Sequence, residues 1–290
     1  MSEMKEKYIN LFTDYGFKRV FGTDINKDLL IDFLNELLEK KEGKIVNLTY
    51  LTSEQIGYTE TDRKAIFDLY CENEKGEKFI VELQKARQNY FKDRSVFYAT
   101  FPIQSQAKKG EWDYNLKAVY AIGILDFIFD KDTSKAEKEN KIVTTVKLTD
   151  IETNKVFYDK LTFVYIEIPK FNKNIEELDT RFDKWLYSFK YLHRLQDRPK
   201  QLQESIFNRL FEIAEIAKLT QDEYFEYESS MKYWRDYKNT IDTAKEEGMI
   251  EGEKRKTHEI AINCLKNNID FETISILTGL TKEEIESLKE

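Results

Sequence analysis

Two acidic residues, Asp68 and Glu82, flank a tight turn, with Gln84 two positions beyond the second. They lie in two β-rich runs, Ala65–Cys71 and Lys78–Gln84, joined by Asn73-Glu74-Lys75-Gly76-Glu77, where Gly76 suits a position that needs positive φ. A turn centred on Lys75 pairs residues whose numbers sum to about 150, which sets Asp68 opposite Glu82. Ile80, Glu82 and Gln84 share one face of the second strand; Lys64, Ile66, Asp68 and Tyr70 share a face of the first. Opposed side chains in such a ladder stand ~4.5–5.5 Å apart, and like charges there repel. A hard divalent cation, Mg²⁺ or Mn²⁺, would relieve the repulsion, held by Asp68, Glu82 and the Leu83 carbonyl. Such an ion activates water for in-line attack on phosphorus, and Gln84 would hydrogen-bond that water. On pattern alone, the same residues also fit a solvent-facing acidic hairpin without a ligand.

Composition narrows the chemistry. The 290 residues include two cysteines, Cys71 and Cys264, too far apart in sequence to suggest a disulfide framework or a thiolate zinc site. Two histidines are too few for the usual zinc-hydrolase sites, so a metal here is a hard cation held by oxygen. His193 sits in an apolar helical stretch and reads as structural. The net charge is −8, yet Lys85 to Gly110 carries Lys85, Arg87, Lys92, Arg94, Lys108 and Lys109 against Asp93 alone, a local +5. Local potential is what binds phosphate, and this puts Lys85 and Arg87 beside the carboxylates. A solvated helix face is the alternative. The longest apolar run, Ala118–Leu125, is far short of the ~20 residues that span a bilayer. Met4-Lys5-Glu6-Lys7 lead into no apolar core, so no leader peptide is expected; the expected location is the cytoplasm, away from membranes.

The elements that position these groups follow from periodicity. Phe12–Gly22 reads as a short helix closed by glycine, and Leu29, Leu30, Phe33, Leu34, Leu37 and Leu38 form the stripe of a second, capped by Asn26 and ended by Gly43. A short strand at Ile45–Leu51 precedes the hairpin. Arg87–Lys109 returns to helical period with Pro102 inside it, and Leu116–Phe129 reads as a central strand buried on both faces. Val143–Leu148 and Leu161–Ile168 add two strands. Beyond Pro169 the pattern is helical: Ile175–Thr220 broken at Pro199, an acidic aromatic segment Gln221–Arg235, a charged helix Tyr237–Lys256, and a final helix pair. In that pair Asp270 caps, Gly279 terminates, and Thr281 with Glu284 forms a capping box. Helix, three strands, helix and strand make an α/β core with a mixed sheet.

Phe12–Gly22 (FTDYGFKRVFG), Asp68–Gln84 (DLYCENEKGEKFIVELQ) and Arg94-Ser95-Val96-Phe97-Tyr98 resemble the Rpn family of recombination-promoting nucleases and putative transposases, in the PD-(D/E)XK nuclease superfamily. The likeness continues through Gln106-Ala107-Lys108-Lys109-Gly110, Tyr114, the Leu116–Phe127 strand and the Ile274–Ile285 segment. It implies a restriction-endonuclease-like αβββαβ core, its mixed sheet flanked by helices, followed by an all-α C-terminal region. It also implies a metal-dependent DNA endonuclease. Asp68 and Glu82 then take the metal-ligand positions, and Gln84 takes the position where the superfamily carries lysine. A neutral amide orients water but supplies no cation, so Lys64 or Lys18 would compensate. Asp14 resembles an acidic residue of the superfamily's first helix; a helix-capping Asp and a snorkelling Lys explain Asp14 and Lys18 equally well. Arg94 and Tyr98 lie one turn apart, as a phosphate clamp and backbone contact or as a helix–sheet packing pair. Gln106 completes the expected DNA contacts, and Phe91, Phe97, Tyr98 and Phe101 read as core.

The expectation is therefore a Mg²⁺- or Mn²⁺-dependent endonuclease cutting double-stranded DNA with little sequence preference and promoting recombination. Two alternatives stand beside it: a nuclease-like scaffold that binds DNA or protein without cutting, and a nuclease acting on RNA or single strands. The expected division is 1–170 for the nuclease-like domain, 171–235 for a helical extension, and 236–290 for the charged helix and helix pair. The last is acidic and reads as a protein-contact module that makes a homo-oligomer rather than a major-groove reader.

Overall fold

Alternating apolar residues on either side of the Gly76 turn, and the unbroken apolar run that follows, build a mixed sheet. The computed structural model describes residues 6–55, 65–107, 113–128 and 141–288; Lys64, Lys108 and Lys109 lie outside them. The strands are β1 (Leu48–Tyr50), β2 (Glu54–Gln55), β3 (Ala65–Ile66), β4 (Leu69–Asn73), β5 (Lys78–Gln84), β6 (Val119–Leu125), β7 (Val143–Thr149) and β8 (Val156–Glu167). Six of them form one sheet in the order β1-β4-β5-β6-β8-β7. β5, β6 and β8 are parallel; β1, β4 and β7 join antiparallel. Every residue of β6 is buried, as suits a parallel strand covered on both faces.

The hairpin has the expected register, with Leu69 opposite Val81 and Tyr70 opposite Ile80. Asn73 closes the turn: its Oδ1 accepts from the Lys75 and Glu77 N–H groups at 3.0 Å each, and Gly76 has φ 80°. The first strand is not continuous, however. The chain bends at Phe67–Asp68, so that β3 pairs with β2 in a separate ladder while β4 pairs with β5. The Asp68 carboxylate accepts from the Leu83 N–H at 2.6 Å, in place of a backbone partner from this segment.

Helices cover both faces. Those on one side are α1 (Asp14–Phe21) and α2 (Lys27–Glu42), and on the other α3 (Phe91–Gln104); α4 (Arg181–Tyr191) and α5 (Ser205–Ala214) then pack on α2 and α1. Tyr120 Oη donates to Glu42 Oε2 at 3.2 Å, and Lys147 pairs with Glu42 at 2.7 Å, tying α2 to the sheet. Phe21, Phe33, Trp185 and Phe189 meet edge and face between these helices, all buried. Asn26 stands at the start of α2, but its side chain donates to the Arg19 carbonyl at 2.9 Å instead of capping. α3 starts at Phe91, later than the helical period suggests, because Lys85–Tyr90 leaves the strand as a loop.

Residues up to Ser230 form one compact unit and those from Met231 a second. The charged helix is longer than its pattern suggests: α6 runs from Gln221 to Lys266 without a break at Gly248 or Gly252. In the second unit α7 (Phe271–Thr278) and α8 (Lys282–Ser287) bury Ile274 and Ile285 against Ala261. The Asp270 cap, the left-handed Gly279 and the Thr281–Glu284 capping box form as expected. No described helix is long and apolar enough to cross a membrane.

Candidate active site

Strand alternation sends Ile80, Glu82 and Gln84 toward α3, and the bend before β4 brings Asp68 to the same strand end. The two acidic residues interlock: Leu83 N–H donates to Asp68 Oδ2 at 2.6 Å, and Asp68 N–H donates to Glu82 Oε1 at 3.2 Å. Leu83 N–H points toward Asp68, which places its carbonyl on that strand edge too. Neither carboxylate has an ion-pair partner among the described residues.

Burial raises both carboxyl groups above their ordinary range. For Glu82 the Asp68 charge adds to burial, against the Asp68 N–H and the Arg94 and Lys18 charges, and the group is pushed up to about 8. For Asp68 the Leu83 N–H opposes burial; Asp14 raises it further, while Lys18 and Lys85 hold it down. Two partly buried acids that resist ionising together, with a backbone carbonyl beside them, are a donor set that a hard cation completes. Mg²⁺ characteristically takes one or two carboxylates and keeps several waters. The residues present therefore fit such an ion.

Asp14 does not join them in a three-acid group among the described residues. It lies exposed on α1, 2.9 Å from Lys18 one turn on, and Thr13 rather than Asp14 caps the helix. The Asp14–Lys18 pair nonetheless faces the site closely enough to move Asp68 electrostatically. Lys85 is partly buried, and burial lowers its ammonium pKa. Arg87 is exposed on the rim, lining with Lys92 and Tyr90 a cleft of about 400 Å³.

α3 contributes the other face. Arg94 Nη2 donates to Gln84 Oε1, and Nη1 donates to Gln88 Oε1 at 2.6 Å. The guanidinium carbon lies 5.7 Å from the ring centroids of both Phe91 and Tyr98. Tyr98 also packs edge-on against Phe67, so the Arg94–Tyr98 face is at once site and helix–sheet contact. A cavity of about 20 Å³ under Glu82, Arg94 and Tyr98 has room for roughly one water. Gln106 is not brought here. α3 runs back along the strands, and its far end places Gln106 where its amide binds the backbone of Pro102 and Lys117, at the start of β6.

Two contributors escape a reading by residue type. Gln88 holds Arg94 but lies in a loop without motif. Gly123, opposite Glu82 in the β5–β6 register, leaves room for the Tyr165 ring of β8 beneath Phe91 of α3: a Cβ there would stand 3.2 Å from Tyr165 and 3.6 Å from Phe91. A lone glycine in an apolar strand is the available signal for such an approach.

A family model described as PD-(D/E)XK nuclease family transposase matches residues 11–244. Comparison with curated proteins and with solved structures gave no match. Because the family match runs from before α1 into α6, across the whole sheet and every residue of the candidate site, the chain belongs to the PD-(D/E)XK nuclease family transposases.

Proposed function

We propose that this chain is a divalent-metal-dependent endonuclease that hydrolyses phosphodiester bonds of double-stranded DNA with little sequence preference, its breaks promoting recombination. The observation that carries the reading is the interlocked pair of Asp68 and Glu82, partly buried, without an ion-pair partner among the described residues, at the end of a strand beside Arg94. Asp68, Glu82 and the Leu83 carbonyl would hold Mg²⁺ or Mn²⁺. When bound, the ion supplies Lewis acidity toward the phosphate and a water of lowered pKa.

The remaining steps belong to this chain. Lys18, Lys85 and Arg94 offset phosphate charge around the carboxylates, which would otherwise repel the substrate. Lys64 stands in the same proposed role. Arg87 and Lys92 on the rim, with Tyr98 as a further contact, hold the backbone on either side; Gln106, expected among these contacts, is bound instead to the Pro102 and Lys117 backbone. A second copy joined through residues 236–290 would set one site on each strand, so that a double-strand break needs no second encounter. The chain divides, in this reading, into a nuclease-like part (1–170), a helical extension (171–235) and an oligomerising part (236–290), acting in the cytoplasm.

Purified protein incubated with supercoiled plasmid and Mg²⁺ or Mn²⁺ should give nicked and linear DNA, and chelation should stop the reaction. Asp68→Asn and Glu82→Gln should each abolish it. Cleavage left intact in both variants removes the mechanism. Parallel reactions on single strands and RNA decide the substrate class, and salt-sensitive binding without cleavage would instead mark a binding scaffold.

A further inference from the structure

We infer that Gln84 serves to hold Arg94, and that the Arg94 guanidinium is the chain's own group that meets the charge developing on the scissile phosphate. The inference rests on the nuclease reading above and assigns the roles within its site.

A primary amide positions water only if an end of it faces outward. The Gln84 side chain is buried, and both ends are engaged within the protein: Oε1 accepts from Arg94 Nη2, and Nε2 donates to the Ala86 carbonyl at 3.2 Å. Its partner is the more informative group. Arg94 is held by two neutral acceptors, Gln84 and Gln88, and by the faces of two rings, with no carboxylate ion pair among the described residues. Neutral acceptors orient a guanidinium without cancelling its charge. Two of its five N–H groups are taken, leaving three for an anion. Arg94 lines the same small cavity as Glu82, so this charge is fixed beside the carboxylate pair before any substrate arrives. Donors held in place where charge develops lower a barrier, because they need no reorganisation. A fork of donors also suits phosphate geometry better than a single ammonium does.

The test uses the full chain, supercoiled plasmid and saturating Mg²⁺, with single-turnover cleavage and DNA affinity measured separately. Arg94→Ala should lower the cleavage rate constant about 100-fold, the usual cost of one transition-state donor, while affinity changes only a few-fold. Arg94→Met, which keeps the aliphatic packing, should match it, and both should melt near the wild-type temperature. Gln84→Lys placed in the Arg94→Ala background puts a cation on the Glu82 face of β5 and should restore cleavage at least about tenfold, a recovery no purely structural role predicts. Arg94 variants that cut at the wild-type rate, or a Gln84→Ala that is inactive while Arg94→Met is not, overturn the inference. So does a double variant no faster than Arg94→Ala alone. A wild-type protein that cuts no nucleic acid with any divalent cation overturns the nuclease reading first, and this assignment with it.

Discussion

Replacing Glu82 with glutamine should make the metal-free protein more stable while removing its activity. The Glu82 carboxyl is pushed from 4.5 to about 8 by burial and by Asp68, so at pH 7 the native state holds it protonated at a cost the unfolded chain does not bear. A group whose folded pKa is raised and acidic lowers stability as pH climbs from the unfolded to the folded value. At ~1.4 kcal/mol per pKa unit, the interval from 4.5 to pH 7 amounts to at most about 3–4 kcal/mol. Glutamine keeps an oxygen that can accept from the Asp68 N–H and removes the titration. Denaturation in chelator should show the wild type losing stability between about pH 5 and 8, and Glu82→Gln losing clearly less. At pH 7 the variant should melt higher, by up to ~6–10 °C at the usual few degrees per kcal/mol for a chain of this size. Adding Mg²⁺ should stabilise the wild type by mass action and the variant little. A variant that melts lower than wild type in chelator, with an unchanged pH slope, refutes the reasoning.

Gly123→Val should crowd the Tyr165 and Leu125 side chains under α3, since even a Cβ would stand 3.2 Å and 3.3 Å from them; a loss of about 1–3 kcal/mol in denaturant, with slowed cleavage, is expected. Gln106→Ala should cost about 1 kcal/mol by freeing the Lys117 N–H, now bound at 2.7 Å, while DNA affinity stays at the wild-type value. Arg87→Ala should lower the salt slope of DNA binding by about 1 and leave single-turnover cleavage at saturating DNA unchanged, since this residue sits on the rim.

Much of the site was legible because its spacing is set by one turn. Gly76 and the alternation on either side determine the hairpin register, and the register carries Asp68 to Glu82 whether or not the strand continues. The break at Phe67–Asp68 was not legible, because a side chain took a backbone N–H, and such substitutions leave no trace in periodicity. The partner of Gln84 was hidden for a different reason. Arg94 reaches it only through the loop that turns the chain back into α3, so their contact depends on tertiary closure. Gln106 failed as a site residue on the same geometry, carried to the other end of the sheet by a helix of 14 residues. In α6 Gly248 and Gly252 each weaken the helix by about 1 kcal/mol, but the penalty is local and does not interrupt it. Pairs such as Glu251–Arg255 and Lys256–Glu259 support the helix through that region.

Binding of Mn²⁺ followed by electron paramagnetic resonance tests the carboxylate pair most directly, because it reads the ion without requiring DNA or turnover. The wild-type chain should bind one ion, and Asp68→Asn and Glu82→Gln should each lose that site while remaining folded. Equal Mn²⁺ occupancy in wild type and both variants would contradict a metal centre at Asp68 and Glu82.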